Sequence, residues 1–210
     1  AIRSDLLDSE GVYLHEGPAR VFASEREAIA AVKGETVNPV VSGDVIVLAG
    51  IGPLGCGMPE SYQLTAALKY SRAGTGVALL TDGRFSGVST GACVGHISPE
   101  ALAGGPLGKL RDGDKIRIRI DCRRLEGKID LVEENGEDVI SKREINAALR
   151  PHPDTPDDTR LWAALQDVSG GSWRGSVYDV DCILDVIERG KKQRADEPNE
   201  SAQSGSRERH

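Results

Sequence analysis

The chain has 210 residues, 39% of them hydrophobic, a net charge of −7 and four cysteines. That length suits one domain with a real core, or a domain plus an appendage, and the acidic balance argues against the basic face that a nucleic-acid partner needs. No apolar run approaches the roughly 18 residues of a membrane span. No signal or transit peptide is recognisable, so the expectation is a cytoplasmic protein with reduced thiols and no membrane contact.

Ala1 runs straight into Ile2-Arg3-Ser4 without a methionine, as expected of a piece of a longer protein. The first strand is expected over Gly17-Pro18-Ala19-Arg20-Val21-Phe22. Ser24 then stands at an N-cap with Glu27 three residues on, a capping-box pattern that predicts a short helix from Glu25 to Val32. Ser42-Gly43-Asp44 is a turn into the strand Val45 to Ala49. A glycine-rich loop covers Gly50 to Gly57, and the apolar spacing of Leu64, Ala67 and Leu68 predicts a helix over Ser61 to Tyr70. The strand Val77 to Leu80 ends at Thr81 and opens a second glycine-rich loop, Asp82 to Gly91. Ser98-Pro99-Glu100 has the form of an N-cap followed by proline. Asp112-Gly113-Asp114 turns into the alternating run Lys115 to Ile120, a strand with one wet face, and Lys128 to Val132 is its hairpin partner.

Strands launched from Gly-Asp turns, with few long helices, point to a β-rich α/β domain of barrel-like form decorated by helices. This domain is placed at residues 1–140. After Ser141 the character changes. Helices are expected over Ser141 to Leu149, Thr159 to Gln166 and Asp179 to Glu188, with a Pro/Asp linker from Arg150 to Asp158. Residues 141–190 are therefore a helical appendage packed on the barrel. Residues 191–210 are polar and charged and are expected to be disordered.

The two glycine loops carry the chemistry. Gly50-Ile51-Gly52-Pro53-Leu54-Gly55 matches G-x-G-x-x-G after a strand, but Gly57 and Pro59 interrupt the helix whose N-terminus a pyrophosphate would need, and no acidic residue follows at the right distance. Glu60 closes this loop. It is either a carboxylate favoured by the start of a helix or an oxygen ligand for a hard cation such as Mg²⁺. In the second loop, Arg84 can fork onto a carboxylate. Ser86 is either a turn residue or a base, and no histidine in triad spacing is present to activate it; His96 is more in keeping with a structural loop residue. No two of Cys56, Cys93, Cys122 and Cys182 form a CxxC pair, so they support neither a metal site nor a disulfide framework.

Two stretches, Leu80-Thr81-Asp82-Gly83-Arg84-Phe85-Ser86-Gly87 and Gly95-His96-Ile97-Ser98-Pro99-Glu100-Ala101 through Gly104-Gly105-Pro106, resemble the dihydroxy-acid and 6-phosphogluconate dehydratase family. Glu16-Gly17-Pro18-Ala19-Arg20-Val21-Phe22 fits as well, and the likeness covers about residues 15 to 132. Asp157 to Gln166 and Ser169-Gly170-Gly171 look like the tail of the sugar-acid, D-xylonate branch. The resemblance implies the swivelling β-barrel domain found at the C-terminus of such enzymes, which dehydrate a 2,3-dihydroxy acid to a 2-keto-3-deoxy acid. By it, Ser86 is the base, Glu60 a Mg²⁺ ligand, and Asp82, Gly83, Arg84 and Gly87 border the substrate. The Cys56-Gly57-Met58-Pro59 stretch before Glu60 departs from the commoner dihydroxy-acid pattern. The resemblance further implies an iron–sulfur cluster, 2Fe–2S or 4Fe–4S, held by an N-terminal domain absent from this chain, and a homo-oligomer. Two other readings stay open: a covering and assembly module without chemistry of its own, and a nucleotide-binding domain.

Overall fold

The computed structural model describes residues 2–89, 91–132 and 139–196. Six strands make one mixed sheet: β1 (Val12–Phe22), β2 (Val45–Leu48), β4 (Ala78–Thr81), β6 (Ala92–Val94), β7 (Lys115–Asp121) and β8 (Glu126–Leu131), in the order β6-β4-β2-β1-β7-β8. The sheet curls as a half-barrel with helices against it. A second, minimal sheet joins β3 (Glu60–Ser61) to β5 (Arg84–Phe85).

β1 joins two kinds of sheet. Its first part, Val12 to Pro18, pairs antiparallel with β7, and its last part, Ala19 to Phe22, pairs parallel with β2. The sequence-based strand began only at Gly17, because His15 and Glu16 obscure the apolar pattern ahead of it. Those polar residues have partners instead: Glu16 forms ion pairs with Lys115 and with Arg117 at 2.7 Å, across the β1–β7 ladder.

β2 and β4 are apolar along their length because both faces are covered, as in parallel sheets generally. On one face Ile46, Leu48 and Leu79 pack with α1 (Glu25–Lys33) and α3 (Gln63–Tyr70) through Ala28, Ala31, Val32, Leu64 and Leu68. On the other, Val45, Val47, Ala78 and Leu80 meet Ile116 and Ile118 of β7 and Leu107, Leu110 and Leu149 from the segments that follow. β7 reads as expected, with Ile116 and Ile118 buried and Lys115, Arg117 and Arg119 exposed. The predicted cap of α1 is present: the Ser24 side chain accepts from the Glu27 amide at 3.3 Å, and Gly34 ends the helix in the left-handed conformation.

Four local expectations are corrected. The first glycine loop contains one helical turn, α2 (Pro53–Cys56), ended by Gly57 at φ +73°. Glu60 lies in β3, before α3, so it caps no helix. The turn after Pro99 takes Glu100 as its N-cap in place of Ser98, with a cis Ser98–Pro99 bond. The helix expected over Ser141 to Leu149 shrinks to α4 (Val139–Lys142). Tertiary bonds override propensity there: Arg143 forks onto Asp114 at 2.5 and 3.1 Å, the Asn146 amide donates to the Gly108 carbonyl at 2.8 Å, and Leu149 is buried in the core.

Residues 141–190 pack on the sheet domain through α5 (Asp157–Val168), followed by α6 (Val180–Asp196). The disorder expected from Lys191 onward fails for 191–196, which continue α6. Lys, Gln, Arg and Ala are good helix formers, and cations are favoured in a last turn. The rest of that span, 197–210, lies outside the described residues, as does Thr90 in the second glycine loop.

Gly17 sits where β1 passes the Ser42-Gly43-Asp44 turn. A Cβ there would lie 1.8 Å from the Gly43 carbonyl oxygen, a backbone atom with little freedom to retreat. Gly17→Ala is expected to lower the unfolding free energy by about 1–3 kcal/mol, the usual range for overpacking. Urea denaturation checks this, and an unchanged midpoint would show that the strand and turn can separate without cost.

Candidate active site at the carboxyl ends of the parallel strands

The carboxyl ends of adjacent parallel strands are where ligands commonly bind in sheet proteins, and both glycine loops leave the sheet there. Asp82, directly after β4, holds the loops together. Its Oδ2 accepts the Gly50 amide at 3.0 Å and the Ala101 amide at 2.9 Å, and its Oδ1 accepts the Ile51 amide at 3.1 Å. The residue is 2% exposed, so its carboxylate lies behind the loop rather than on its surface. Burial pushes its pKa up, and the three amides, which favour the anion, pull it back. Gly83 is packed just as tightly, for a Cβ would meet Ile51 at 2.6 Å.

From this anchored point the chain returns to the surface. Arg84 and Phe85 form β5, in parallel register with Glu60 and Ser61 of β3. The pairing sets Glu60 beside Arg84: Arg84 Nη1 lies 3.4 Å from Glu60 Oε1, and Arg84 Nε donates to the Met58 carbonyl at 2.8 Å. Met58 has a φ of +58°, which turns that carbonyl toward the arginine. Both charged side chains are about half exposed, so their ion pair contributes little to stability and is readily exchanged for other partners. Ser86 follows at once. It is half-buried, its carbonyl accepts the Ser89 amide at 3.0 Å, and its hydroxyl has no partner among the described residues. Gly87 and Val88 are exposed at the turn. His96 is exposed, with φ +57° and its amide bonded to the Gly83 carbonyl, which fits a structural role in the loop.

The structure thus brings Glu60, Arg84 and Ser86 onto one edge. A hollow of about 200 Å³ is lined by residues including Tyr62, Thr65, Lys69, Val88 and Ser89, and by none of those three. A much larger groove of about 940 Å³ lies between α1 and α3, but no residue of the second glycine loop lines it.

Glu100 is the residue that sequence reasoning passed over. It is 2% exposed, its Oε2 accepts the Leu54 amide at 2.9 Å, and its own amide donates to the Ser172 hydroxyl at 2.9 Å. Burial, with nearby Asp82 adding to it, raises its pKa to about 7. Its cues in the sequence were its place after Ser98-Pro99, which suggested a helix start, and its place in the second stretch of the family resemblance, which gave it no role. Gly52 leaves the space it needs, since a Cβ at Gly52 would meet its carboxylate oxygen at 2.5 Å.

The donor set decides which groups this chain can hold. Glu60 offers one accessible carboxylate, which suits Mg²⁺, a cation that often keeps several waters and takes one or two carboxylates. The cysteines do not suit a cluster. No group of three or more His, Cys, Asp or Glu side chains among the described residues is arranged to hold a metal. Burial raises the Cys56 thiol to about 11 and pushes Cys93 up as well, against the thiolate that a metal requires. The nucleotide fingerprint also fails in space: α2 is a single turn ended by Gly57. Among the described residues no helix is long and apolar enough to cross a membrane.

Residues 6–170 match the family described as dihydroxy-acid/6-phosphogluconate dehydratase C-terminal. The chain is 52% identical over 200 residues to D-xylonate dehydratase YagF of Escherichia coli (strain K12), covering 91% of this chain and 30% of that protein. It is 49% identical over 193 residues to D-xylonate dehydratase YjhG of the same organism, covering 87% and 29%. A dihydroxy-acid dehydratase of Agathobacter rectalis is 42% identical over 176 residues, covering 83% and 29%. The chain therefore belongs to the dihydroxy-acid/6-phosphogluconate dehydratase family, whose C-terminal domain it matches, and it spans about three-tenths of the length of these relatives.

Two outcomes follow from the buried carboxylates. Asp82→Ala leaves three buried amides without an acceptor, and a loss of roughly 3 kcal/mol or more in unfolding free energy is expected, measured by denaturant titration. Glu100 gives a pH signature. The native state holds its proton up to about pH 7, whereas the unfolded chain releases it near the ordinary 4.5. Between those values the folded protein binds the extra proton, so this contribution is full below pH 4.5 and is lost as pH rises to about 7. The loss is on the order of 3 kcal/mol. Glu100→Gln should flatten that slope; an unaltered slope would assign it to other groups.

Proposed function

We propose that this chain is the C-terminal half-site of a sugar-acid dehydratase, a hydro-lyase that converts an aldonic acid such as D-xylonate to its 2-keto-3-deoxy acid. The observation that carries the reading is the β3–β5 pair, which holds Glu60 and Arg84 side by side and delivers Ser86 at the same edge. The names of the D-xylonate dehydratase relatives support the substrate class. In this reading the sheet domain is the swivelling barrel of the family, and the reaction belongs to a longer protein whose N-terminal domain holds the iron–sulfur cluster.

The residues divide the work by exposure. Ser86 Oγ takes the proton from C2 of the acid. The C3–O bond breaks as the C2–H electrons form the C2–C3 double bond, the departing hydroxide takes up the proton held by Ser86 and leaves as water, and the enol formed tautomerises to the 2-keto acid. Deprotonation of the serine is assisted from outside this chain, consistent with a hydroxyl that has no partner among the described residues. Arg84 turns from Glu60 to the substrate carboxylate, where its planar fork fits two oxygens. Gly83 packs against Ile51, and Gly87, with open space where a Cβ would lie, lets backbone approach the substrate closely. Glu60 would hold Mg²⁺, which when bound would supply positive charge that makes the C2 proton more acidic. Asp82 acts behind the loop, fixing where Arg84 and Ser86 emerge.

Ser86→Ala in the protein that carries the remaining domain should lower turnover of an aldonic acid by about 10²–10⁴-fold, the usual effect of losing a general base. Stability should stay within about 0.5 kcal/mol, because the residue lies in a partly exposed turn. Steady-state kinetics over a panel of aldonic acids, with thermal melts alongside, provide the check. Near-normal turnover would remove Ser86 as the base.

A further inference from the structure

The turn that carries Ser86 is fastened on both sides. Ahead of it, Arg84 and Phe85 pair with Glu60 and Ser61. Behind it, the Ser89 hydroxyl lies 3.1 Å from the hydroxyl of Thr65 on α3. Between these points run Ser86, Gly87 and Val88, closed as a turn by the Ser89 amide, which donates to the Ser86 carbonyl at 3.0 Å. The tip itself has little packing among the described residues: a Cβ at Gly87 would meet open space, and Val88 is 71% exposed. Thr65, in contrast, is 5% exposed, in the first turn of α3 beside the fully buried Leu64. The Leu64 amide donates in turn to Glu25 of α1 at 2.9 Å, so this end of α3 is held from two directions.

We propose that Thr65 is a positioning residue for the reaction, acting through Ser89 to hold the turn from which Ser86 reaches C2; the inference rests on the reading of Ser86 as the base. The bond between the two hydroxyls has a direction. A hydroxyl carries one hydrogen, and that of Thr65 goes to the Tyr62 carbonyl at 2.9 Å, an ordinary bond to the preceding turn of a helix. Ser89 is therefore the donor, and the buried Thr65 oxygen is its acceptor. The bond to Tyr62 alone accounts for a threonine in α3, but it does not account for the loop that comes to meet it. The chain order does. α3 follows β3 directly, so Glu60 and Thr65 belong to one continuous segment. The β3–β5 pair and the Thr65–Ser89 bond thus join that segment to the second glycine loop twice, once on each side of Ser86. With one join, a glycine-containing turn is free to pivot. With two, the direction in which the Ser86 hydroxyl leaves the backbone is set. A base must meet its proton within a narrow range of distance and angle, and a displacement of about 1 Å can cost about 10²-fold in rate.

Steady-state kinetics of the protein that carries the remaining domain, with an aldonic acid and its C2-deuterated form, test the proposal. Ser89→Ala and Thr65→Val should each lower kcat by about 10–10²-fold. KM should hardly move, since Glu60 and Arg84 stay where they are. The primary isotope effect on kcat should rise in both variants, because a misplaced base slows the proton transfer itself. Thr65→Ser, which keeps the hydroxyl, should restore most of kcat. Joining Ser89→Ala to Thr65→Val should cost no more than the larger single loss, because both remove the same bond. If Thr65→Val melts early, Ser89→Ala, at a half-buried loop position, still carries the test. Full kcat in either single variant overturns the proposal, and so do additive losses, a change confined to KM or an unaltered isotope effect. A loss in Ser89→Ala with Thr65→Val fully active gives Ser89 a direct role and Thr65 none. Ser86→Ala, measured alongside, separates the two levels of failure. If it is inactive while Thr65→Val is fully active, only the tie is refuted. If it is fully active, the base reading falls and this inference falls with it.

Discussion

Three backbone amides converge on the carboxylate of Asp82, and the arrangement of every loop around the candidate site follows from that convergence. The amides come from Gly50 and Ile51, after β2, and from Ala101, after β6, while Asp82 itself follows β4. One side chain thus ties together the carboxyl ends of three neighbouring parallel strands. Amides pointing into a buried space need an acceptor, and a buried carboxylate needs donors, so each side of the arrangement is costly without the other. Glu100 repeats the device one layer away by accepting the Leu54 amide. With two anchors, the first glycine loop is held in shape although it contains only one helical turn.

This separates the acidic residues by role. Asp82 and Glu100 are buried and accept backbone amides, and they set positions. Glu60 is half exposed and loosely paired with Arg84, so its charge is available to a cation or a substrate. Ser86 lies two residues beyond Arg84, close enough to the anchored strand end to be placed accurately and far enough to be reached. The edge is nonetheless sparse: it presents one carboxylate, one guanidinium and one hydroxyl. No cluster of ligating side chains completes it among the described residues. The chain spans about three-tenths of its relatives' length.

What the sequence made legible was what depends on period. β2 and β4 stood out as short apolar runs, β7 as strict alternation, and α1 by its capping residues. Elements defined by distant partners did not stand out. β3 and β5 are two residues each, too short to have a period, and they exist because the anchored loops lie alongside one another. In the first half of β1 the apolar run Val12-Tyr13-Leu14 is interrupted by His15 and Glu16, and the segment is a strand by its ladder with β7, where Glu16 finds Lys115 and Arg117 opposite. Residues 143–149 have helical propensity, but Arg143 is drawn to Asp114 and Leu149 to the core. The site residues came from a resemblance carried by the second glycine loop. Their proximity, and the buried place of Asp82, came only from the fold.

The Glu60–Ser86 edge and α6 are joined through packed elements. α6 packs on α5, and α5 packs on α2 in the first glycine loop. The contact is close: a Cβ at Gly57 would lie 1.9 Å from the Thr159 methyl of α5, and the His152 amide donates to the Gly55 carbonyl at 2.7 Å. Gly57 holds φ +73°, and Met58, at φ +58°, presents its carbonyl to Arg84. Any displacement of α5 is therefore felt first at Gly57 and then, through Met58 and Pro59, at Glu60. Packed elements of this kind transmit small shifts because interiors have few voids to absorb them.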